Sequence, residues 1–145
     1  MAKPDPALLD PARYPFHCTV ETRYRDLDSN LHINNGVMAS LLEEGRVRYH
    51  RANGFNELAA ALDMTMMVAS IAIEFLGESQ FPDPLDMHVA CRRVGRTSMA
   101  LAQLATQQGR VVVCAEAVMV CVADGRPAEI PPAFRASLED WMLRP

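Results

Sequence analysis

The chain is poor in the features that would hold it together by anything but packing, or tie it to nucleic acid or a bilayer. Its four cysteines, Cys18, Cys91, Cys114 and Cys121, show no C-x-x-C spacing and are too sparse for a disulfide scaffold. Three of them lie in strand-like apolar runs, where a reduced thiol behaves as a small hydrophobe. There is no basic excess: the net charge is −4, against what a nucleic-acid binder needs, so a polyanionic ligand would require a local cluster of arginines. No apolar run approaches the length of a membrane span. The opening MAKPDP lacks the apolar core of a signal peptide, so a cytoplasmic protein with no membrane partner is expected. What the chain does have is 145 residues, half of them hydrophobic and only 22% charged, which excludes a disordered chain and fits one domain. A chain of this length buries about 68–70% of its unfolded surface, enough to fold without disulfides or a structural metal.

Pro4, Pro6, Pro11 and Pro15 make residues 1–16 an extended arm, with a single domain expected over 17–145. Thr19 to Arg25 alternates as a strand does. From Asn35 to about Asn53 the period changes: Met38, Leu41, Leu42, Gly45, Tyr49 and Ala52 recur three or four apart and line one face of a helix, which Asn53-Gly54 ends. A short helical piece follows over Glu57–Leu62. Four strands are then expected, at about Thr65–Leu76, Leu85–Val94, Ser98–Gln107 and Arg110–Val122, with short turns that favour an antiparallel meander. Ile130-Pro131-Pro132 leads into a terminal amphipathic helix, Ala133–Met142. Val111 to Val122 is apolar on both faces apart from Glu116, as in a strand buried on both sides. One long helix covers only one sheet face, so a second subunit is expected on the other.

The stretch Asp28-Ser29-Asn30-Leu31-His32-Ile33-Asn34-Asn35 sets a carboxylate, an amide and an imidazole at alternating positions, then two more amides, just ahead of the long helix. Asp, Ser and Asn also crowd ordinary loops and helix caps, because their side chains bond nearby backbone. Asn34 or Asn35 suits an N-cap. A calcium loop built on Asp26, Asp28 and Asn30 fails at its sixth position, Leu31, and at its twelfth, Val37. A transition-metal site from Asp26, Asp28 and His32 lacks a second His or Cys nearby. The functional reading rests on place: unpaired N–H groups at a helix N-terminus favour an anion, and a base beside them serves water attack on an acyl carbonyl.

Arg23-Tyr24-Arg25-Asp26-Leu27-Asp28, His32-Ile33-Asn34-Asn35 and Glu43-Glu44-Gly45-Arg46-Val47 together resemble the hotdog-fold thioesterases of the 4-hydroxybenzoyl-CoA thioesterase group. The spacing of Asp28, Asn30, His32, Asn34 and Asn35 is also similar to the D-x-N-x-H-x-N-N signature of plant-type acyl-carrier-protein thioesterases. The resemblance extends to the Arg92–Ser98 hairpin and Ile130-Pro131, and so covers most of the chain. It implies an α+β hotdog fold: a five-stranded antiparallel sheet wrapped around one long central helix, plus a C-terminal helix. Two protomers join their sheets, as a homodimer or homotetramer, with sites at the interface.

By the same resemblance Asp28 is the general base or nucleophile, Asn30 and His32 are its polar partners, and the backbone N–H near Asn35 polarises the thioester carbonyl. Asn34, Asn35 and Met38 line the substrate site, and Arg92, Arg93 and Arg96 meet the phosphates of CoA. His32 holds Asn30 or Asp28, or bonds substrate. The expected partner is an acyl-CoA or acyl carrier protein thioester, with no metal or cofactor and no nucleic acid. Leu31 stands where many relatives have Gly, and Met38 where many have Tyr. These departures leave room for a non-catalytic hotdog protein that binds acyl thioesters; a hotdog dehydratase is the weaker alternative. Met38, Met64, Met66 and Met67 would form an adaptable apolar wall that favours aliphatic acyl groups. Glu43 and Glu44 read as a solvated face, and His17, His50 and His88 have no evident partner or catalytic role.

Overall fold

The computed structural model describes residues 3–145. Five strands, β1 (Phe16–Val20), β2 (Thr65–Phe75), β3 (Leu85–Val94), β4 (Ser98–Gln107) and β5 (Arg110–Ala123), form an antiparallel sheet in the order β1-β3-β4-β5-β2. A two-residue strand, β6 (Arg126–Pro127), pairs with the end of β5. The long helix α1 (Asn35–Ala52) lies in the concave face, α2 (Phe55–Ala61) follows it, and α3 (Pro132–Ser137) runs into a 3-10 turn at Leu138–Trp141. This is the expected hotdog architecture.

Helix α1 starts where Asn34 caps it: the Asn34 Oδ1 accepts from the amides of Gly36 at 2.8 Å and Val37 at 3.3 Å. Gly54, at φ +82°, carries the chain from α1 into α2. The helix buries Met38, Leu41, Leu42, Gly45, Arg46, Tyr49 and His50, a stripe of three- and four-residue steps that contains two titratable groups besides the tyrosine. Gly45 lets the helix lie close on the sheet; a Cβ there would stand 3.3 Å from Gln103 Nε2 and 3.4 Å from Met87 Cβ. Tyr49 fastens the other end, its hydroxyl donating 2.8 Å to the Trp141 carbonyl while Phe16 and Trp141 pack edge-on to its ring.

Strand β4 is buried nearly end to end because both its faces are covered. Met99, Leu101 and Ala105 meet the helix side, whereas Ala102 and Leu104 join Leu8, Tyr14, Ala90 and Cys114 on the outer face. The N-terminal segment supplies that cover. It is not the extended arm expected: two 3-10 turns, Pro6–Leu9 and Pro11–Arg13, are capped by Asp5 and Asp10, and Tyr14 donates 2.8 Å to the Leu8 carbonyl. The two-faced apolarity around β5 therefore has an intramolecular explanation and does not by itself call for a second subunit.

A different surface is left bare. Strand β2 ends the sheet, and Val68, Ile71 and Phe75, which pair with the inward-facing Met119, Ala117 and Val113, stay exposed because α1 does not reach over them. The expected first strand also moves: β1 begins at Phe16, and Tyr24–Asp26 is a 3-10 turn rather than the end of a strand. The terminal helix stops five residues earlier than expected, at Ser137 rather than Met142.

Candidate functional site

Residues 27–33 form a small closed loop. Leu27 and Ile33 bridge, the Asp28 amide donates 2.9 Å to the His32 carbonyl, and the Leu31 amide donates 3.0 Å to the Asp28 carbonyl. Asp28 organises the turn with its side chain too: Oδ1 accepts from the amides of Asn30 at 2.8 Å and His32 at 3.3 Å. Oδ2 has no hydrogen-bond partner among the described residues. Leu31 sits at φ 60°, in the left-handed region that suits glycine. The leucine side chain is turned out to solvent.

The loop is held from three sides. Asp26, 1% exposed, accepts from the backbone and guanidinium of Arg23, and its carbonyl accepts from the Asn34 amide at 2.8 Å. Burial works against the Asp26 carboxylate, but these hydrogen bonds and the charges of Arg23 and Arg25 outweigh it and hold the carboxyl below its ordinary range. The Ile33 amide donates 2.8 Å to the Ser79 carbonyl, joining the loop to the segment after β2. That segment is tied in turn by the buried Gln107, whose Nε2 donates to the carbonyls of Gln80 and Asp83 at 2.7 and 2.8 Å.

His32 does not reach the side chain of Asp28 or Asn30. Its Nε2 lies 3.2 Å from Glu78 Oε2, a partner from the Gln107-anchored segment that the local motif does not contain. Only its backbone serves Asp28. Asn30 is exposed, its amide on Asp28 and its side chain without a partner among the described residues. Asn34 is committed to capping α1; Asn35 is exposed at the first position of the helix, and its own amide has no acceptor among the described residues. Met38 is 2% exposed, packed among Val20, Ile33, Leu42 and Met87, so within this protomer it builds core rather than an open wall.

The three arginines divide. Arg92 lies against Glu116 at 3.1 Å and Asp5 at 3.7 Å, on the outer face, and Arg93 approaches Glu116 at 3.7 Å. Arg96 stands apart at the β3–β4 turn, paired with Glu129 at 3.2 Å where both side chains are mostly exposed. Arg135, which the sequence did not single out, donates 2.7 Å to the Gly95 carbonyl and brings a second cation to that turn.

A further polar cluster, also missed, lies farther along α1. Arg46 Nη1 donates 2.9 Å to Gln103 Oε1, and Gln103 Nε2 donates 2.8 Å to the Leu42 carbonyl. Arg46 is 5% exposed and forms no ion pair among the described residues. One turn on, His50 is 6% exposed, and neither ring nitrogen has a hydrogen-bond partner. Burial, with the charge of Arg46 added, pushes the His50 imidazole down to about 4. Both residues line a cleft of about 420 Å³ between α1, α2 and the start of β2, walled otherwise mainly by apolar side chains such as Phe55, Met64 and Met66, with Glu43, Asn56 and Thr65 among them. A signal existed in the sequence, since Arg46 and His50 fall on the buried stripe of α1.

The likenesses to known proteins bear on the fold and the family. No curated protein matches the chain in sequence. Among solved structures, a thioesterase from Thermus thermophilus complexed with coenzyme A and Zn is similar at 29% identity and a TM-score of 0.81, over 92% of this chain and 98% of that one. A probable thioesterase from Escherichia coli is similar at 22% identity, with a TM-score of 0.78 over 87% of this chain and 98% of its own. A predicted thioesterase from Bacillus stearothermophilus is similar at 21%, with a TM-score of 0.77 over 90% and 98%. The last two likenesses speak to the fold alone. The profile of the thioesterase-like superfamily matches residues 22–138, from the segment before Asp28 through the last helix, and the chain belongs to that superfamily.

Proposed function

We propose that the protein hydrolyses acyl-CoA, or a related acyl carrier thioester, at a site centred on Asp28 and completed by a second copy of the chain. The observation that carries the reading is the state of Asp28: one carboxylate oxygen is anchored by two backbone amides while the other is free, in the loop that feeds the N-terminus of α1. The free oxygen takes a proton from water as the water oxygen bonds to the thioester carbon, or bonds to that carbon itself. The tetrahedral adduct then expels the thiolate, which recovers a proton; on the second route water then cleaves the acyl–Asp28 anhydride, releasing the acid and restoring the carboxylate. The unpaired Asn35 amide, with the positive end of the helix dipole behind it, faces the developing oxyanion. The coenzyme A bound by the Thermus thermophilus relative supports a CoA thioester as substrate.

The second copy is supported by the bare edge. Strand β2 spans 11 residues and carries one charged residue, Glu74, and natural sheet edges are usually blunted by charge, proline or cover. Two such edges paired antiparallel about a two-fold axis would extend the sheet and bury Val68, Ile71 and Phe75. The same axis sets the two α1 helices antiparallel, which brings the C-terminal half of one toward the Asp28 loop of the other.

Release of free thiol from a generic acyl-CoA, followed with a thiol reagent, tests the activity. Asp28→Asn keeps the size and the amide hydrogen bonds but removes the basic oxygen, so turnover should fall by about 10²–10⁴-fold with the fold intact. His32→Ala and Asn30→Ala should lose less. Wild-type turnover in Asp28→Asn would overturn the assignment. Binding of acyl-CoA without thiol release would instead establish a non-catalytic binding protein, a reading that the burial of Met38 away from any open acyl wall favours.

A further inference from the structure

The cleft between α1, α2 and the start of β2 is mainly apolar, with Asn56 and Thr65 as its neutral polar members, yet it is built around a buried cation. Arg46 spends one donor on Gln103, and the rest of its planar fork has no protein partner among the described residues. A buried charge without a counter-charge is costly, and proteins retain one where something else supplies the opposite sign. Guanidinium geometry matches a carboxylate, whose two oxygens accept two parallel N–H bonds. His50, one helical turn away on the same wall, adds a buried imidazole with both nitrogens unpartnered. Glu43 is the one acid in the lining; its charge acts on Arg46 from the exposed rim, but the two form no ion pair within 4.0 Å, so the rest of the guanidinium fork stays open to a ligand.

Size and place narrow the ligand. About 420 Å³ is far more than a single carboxylate fills, and the walls of Phe55, Met64, Met66 and Ala59 suit a short hydrocarbon chain attached to it. His50 lies fifteen residues beyond Asn35, about 22 Å along the axis at 1.5 Å per residue, too far for one short acyl group to span within a protomer. Across the proposed two-fold, the antiparallel α1 of the second copy brings its Asp28 loop toward this cleft.

We propose that the Arg46–His50 cleft is a carboxylate-binding subsite that takes the far end of an acyl group carrying its own terminal carboxylate, so that the preferred substrates are thioesters of dicarboxylic acids. This rests on the thioesterase reading for its catalytic consequence, but the binding site itself does not. Two arms of one experiment separate them. In the first, the full-length protein is titrated with adipate, with 1,6-hexanediol as the neutral control of equal length, while the imidazole resonances of His50 are followed by NMR at pH 7. A saturable shift with adipate and none with the diol is expected; no shift with adipate, or equal shifts with both, overturns the subsite.

In the second arm, adipoyl-CoA and hexanoyl-CoA are compared as substrates. The ratio of their kcat/KM values should favour adipoyl-CoA by at least tenfold, fall at least tenfold in Arg46→Met, and be kept in larger part by Arg46→Lys. Glu43→Gln, which removes a like charge from the rim, should raise the ratio. A wild-type ratio near one, or a ratio unmoved by Arg46→Met, refutes the substrate class. If neither thioester is cleaved while adipate still shifts His50, the hydrolase reading fails and the carboxylate site stands.

Discussion

His50 offers the sharpest link between a buried group and a bulk measurement. Its ring lies 5.5 Å from the rings of both Tyr49 and Phe55, with neither nitrogen bonded, and the fold holds it neutral by pushing its pKa down to about 4 from the ordinary 6.5. An unfolded chain returns the imidazole to its ordinary value, so between these two pH values the unfolded state binds a proton that the native state refuses. Stability from this group is therefore fully present above about pH 7 and declines as the pH falls from 6.5 toward 4. The loss is about 2 kcal/mol at pH 5 and levels off at roughly 3 kcal/mol below pH 4, since each tenfold difference in proton affinity between the two states is worth about 1.36 kcal/mol. The perturbation is His50→Phe, which keeps a ring in an aromatic pocket and removes the titration. Urea unfolding at pH 7.5, 6 and 5, at one fixed protein concentration, gives the two stability curves. The variant should gain about 2 kcal/mol on the wild type between pH 7.5 and 5, with other acid-sensitive groups such as Asp26 cancelling in the difference. Parallel curves would refute the reasoning and mean that the imidazole finds water or a partner in solution.

Leu31→Gly replaces a side chain held at φ 60°, where an L-residue costs about 1–2 kcal/mol, and returns roughly 0.5–1 kcal/mol of that as unfolded-chain entropy. Denaturation should show a net gain of up to about 1 kcal/mol, and a clear loss would show that the leucine packs on something. Arg96→Ala breaks only the exposed pair with Glu129, so stability should hardly move; the KM for an acyl-CoA should rise with kcat unchanged, while an acyl-pantetheine lacking the nucleotide should be cleaved as before. Equal losses on both substrates would show that this turn does not read the phosphates. Ile71→Asp, on the uncovered edge of β2, should leave secondary structure intact by circular dichroism, lower the mass seen by light scattering to that of a monomer and abolish turnover. An active, well-folded monomer would refute the shared site.

The meander was legible because its punctuation is local. Strands β3 and β4 fall where the sequence sets them, bounded by Pro84, by the Gly95 turn and by Gly109, with inward and outward residues alternating between. Helix α1 was equally clear from its stripe and its Asn caps. The first strand was misplaced because Val20, Thr22 and Tyr24 alternate as strand residues do, whereas pairing with Leu85–Val89 draws the strand back to Phe16. Two residues of β6 are too few to leave a periodic signal. Within the site, the anchoring of Asp28 follows from short-range Asx chemistry and was readable. The pairing of His32 with Glu78 was not, since the two lie 46 positions apart and meet only because Gln107 pins the segment between β2 and β3. The pairing of Arg46 was hidden for a related reason: the residue it bonds, Gln103, comes from a strand that the sequence does not connect to the helix.

The cover that the N-terminal segment gives to the outer face also bears on the order in which the molecule assembles. The Arg144 amide donates 2.7 Å to the Arg13 carbonyl, and the Leu143 amide 2.8 Å to the Cys91 carbonyl, so the two ends of the chain meet across nearly its whole length. Contacts of such sequence separation carry the largest loop-closure entropy and are favourable only once the intervening strands are already in place. The hairpins β3–β4 and β4–β5, closed by short turns, form with far less loss of chain freedom. Docking of residues 6–14 is therefore expected late in folding, and without it Ala102, Leu104 and Cys114 would stand in water. The N-terminal segment thus serves as a clasp, and opening it would bare the apolar outer face of the sheet.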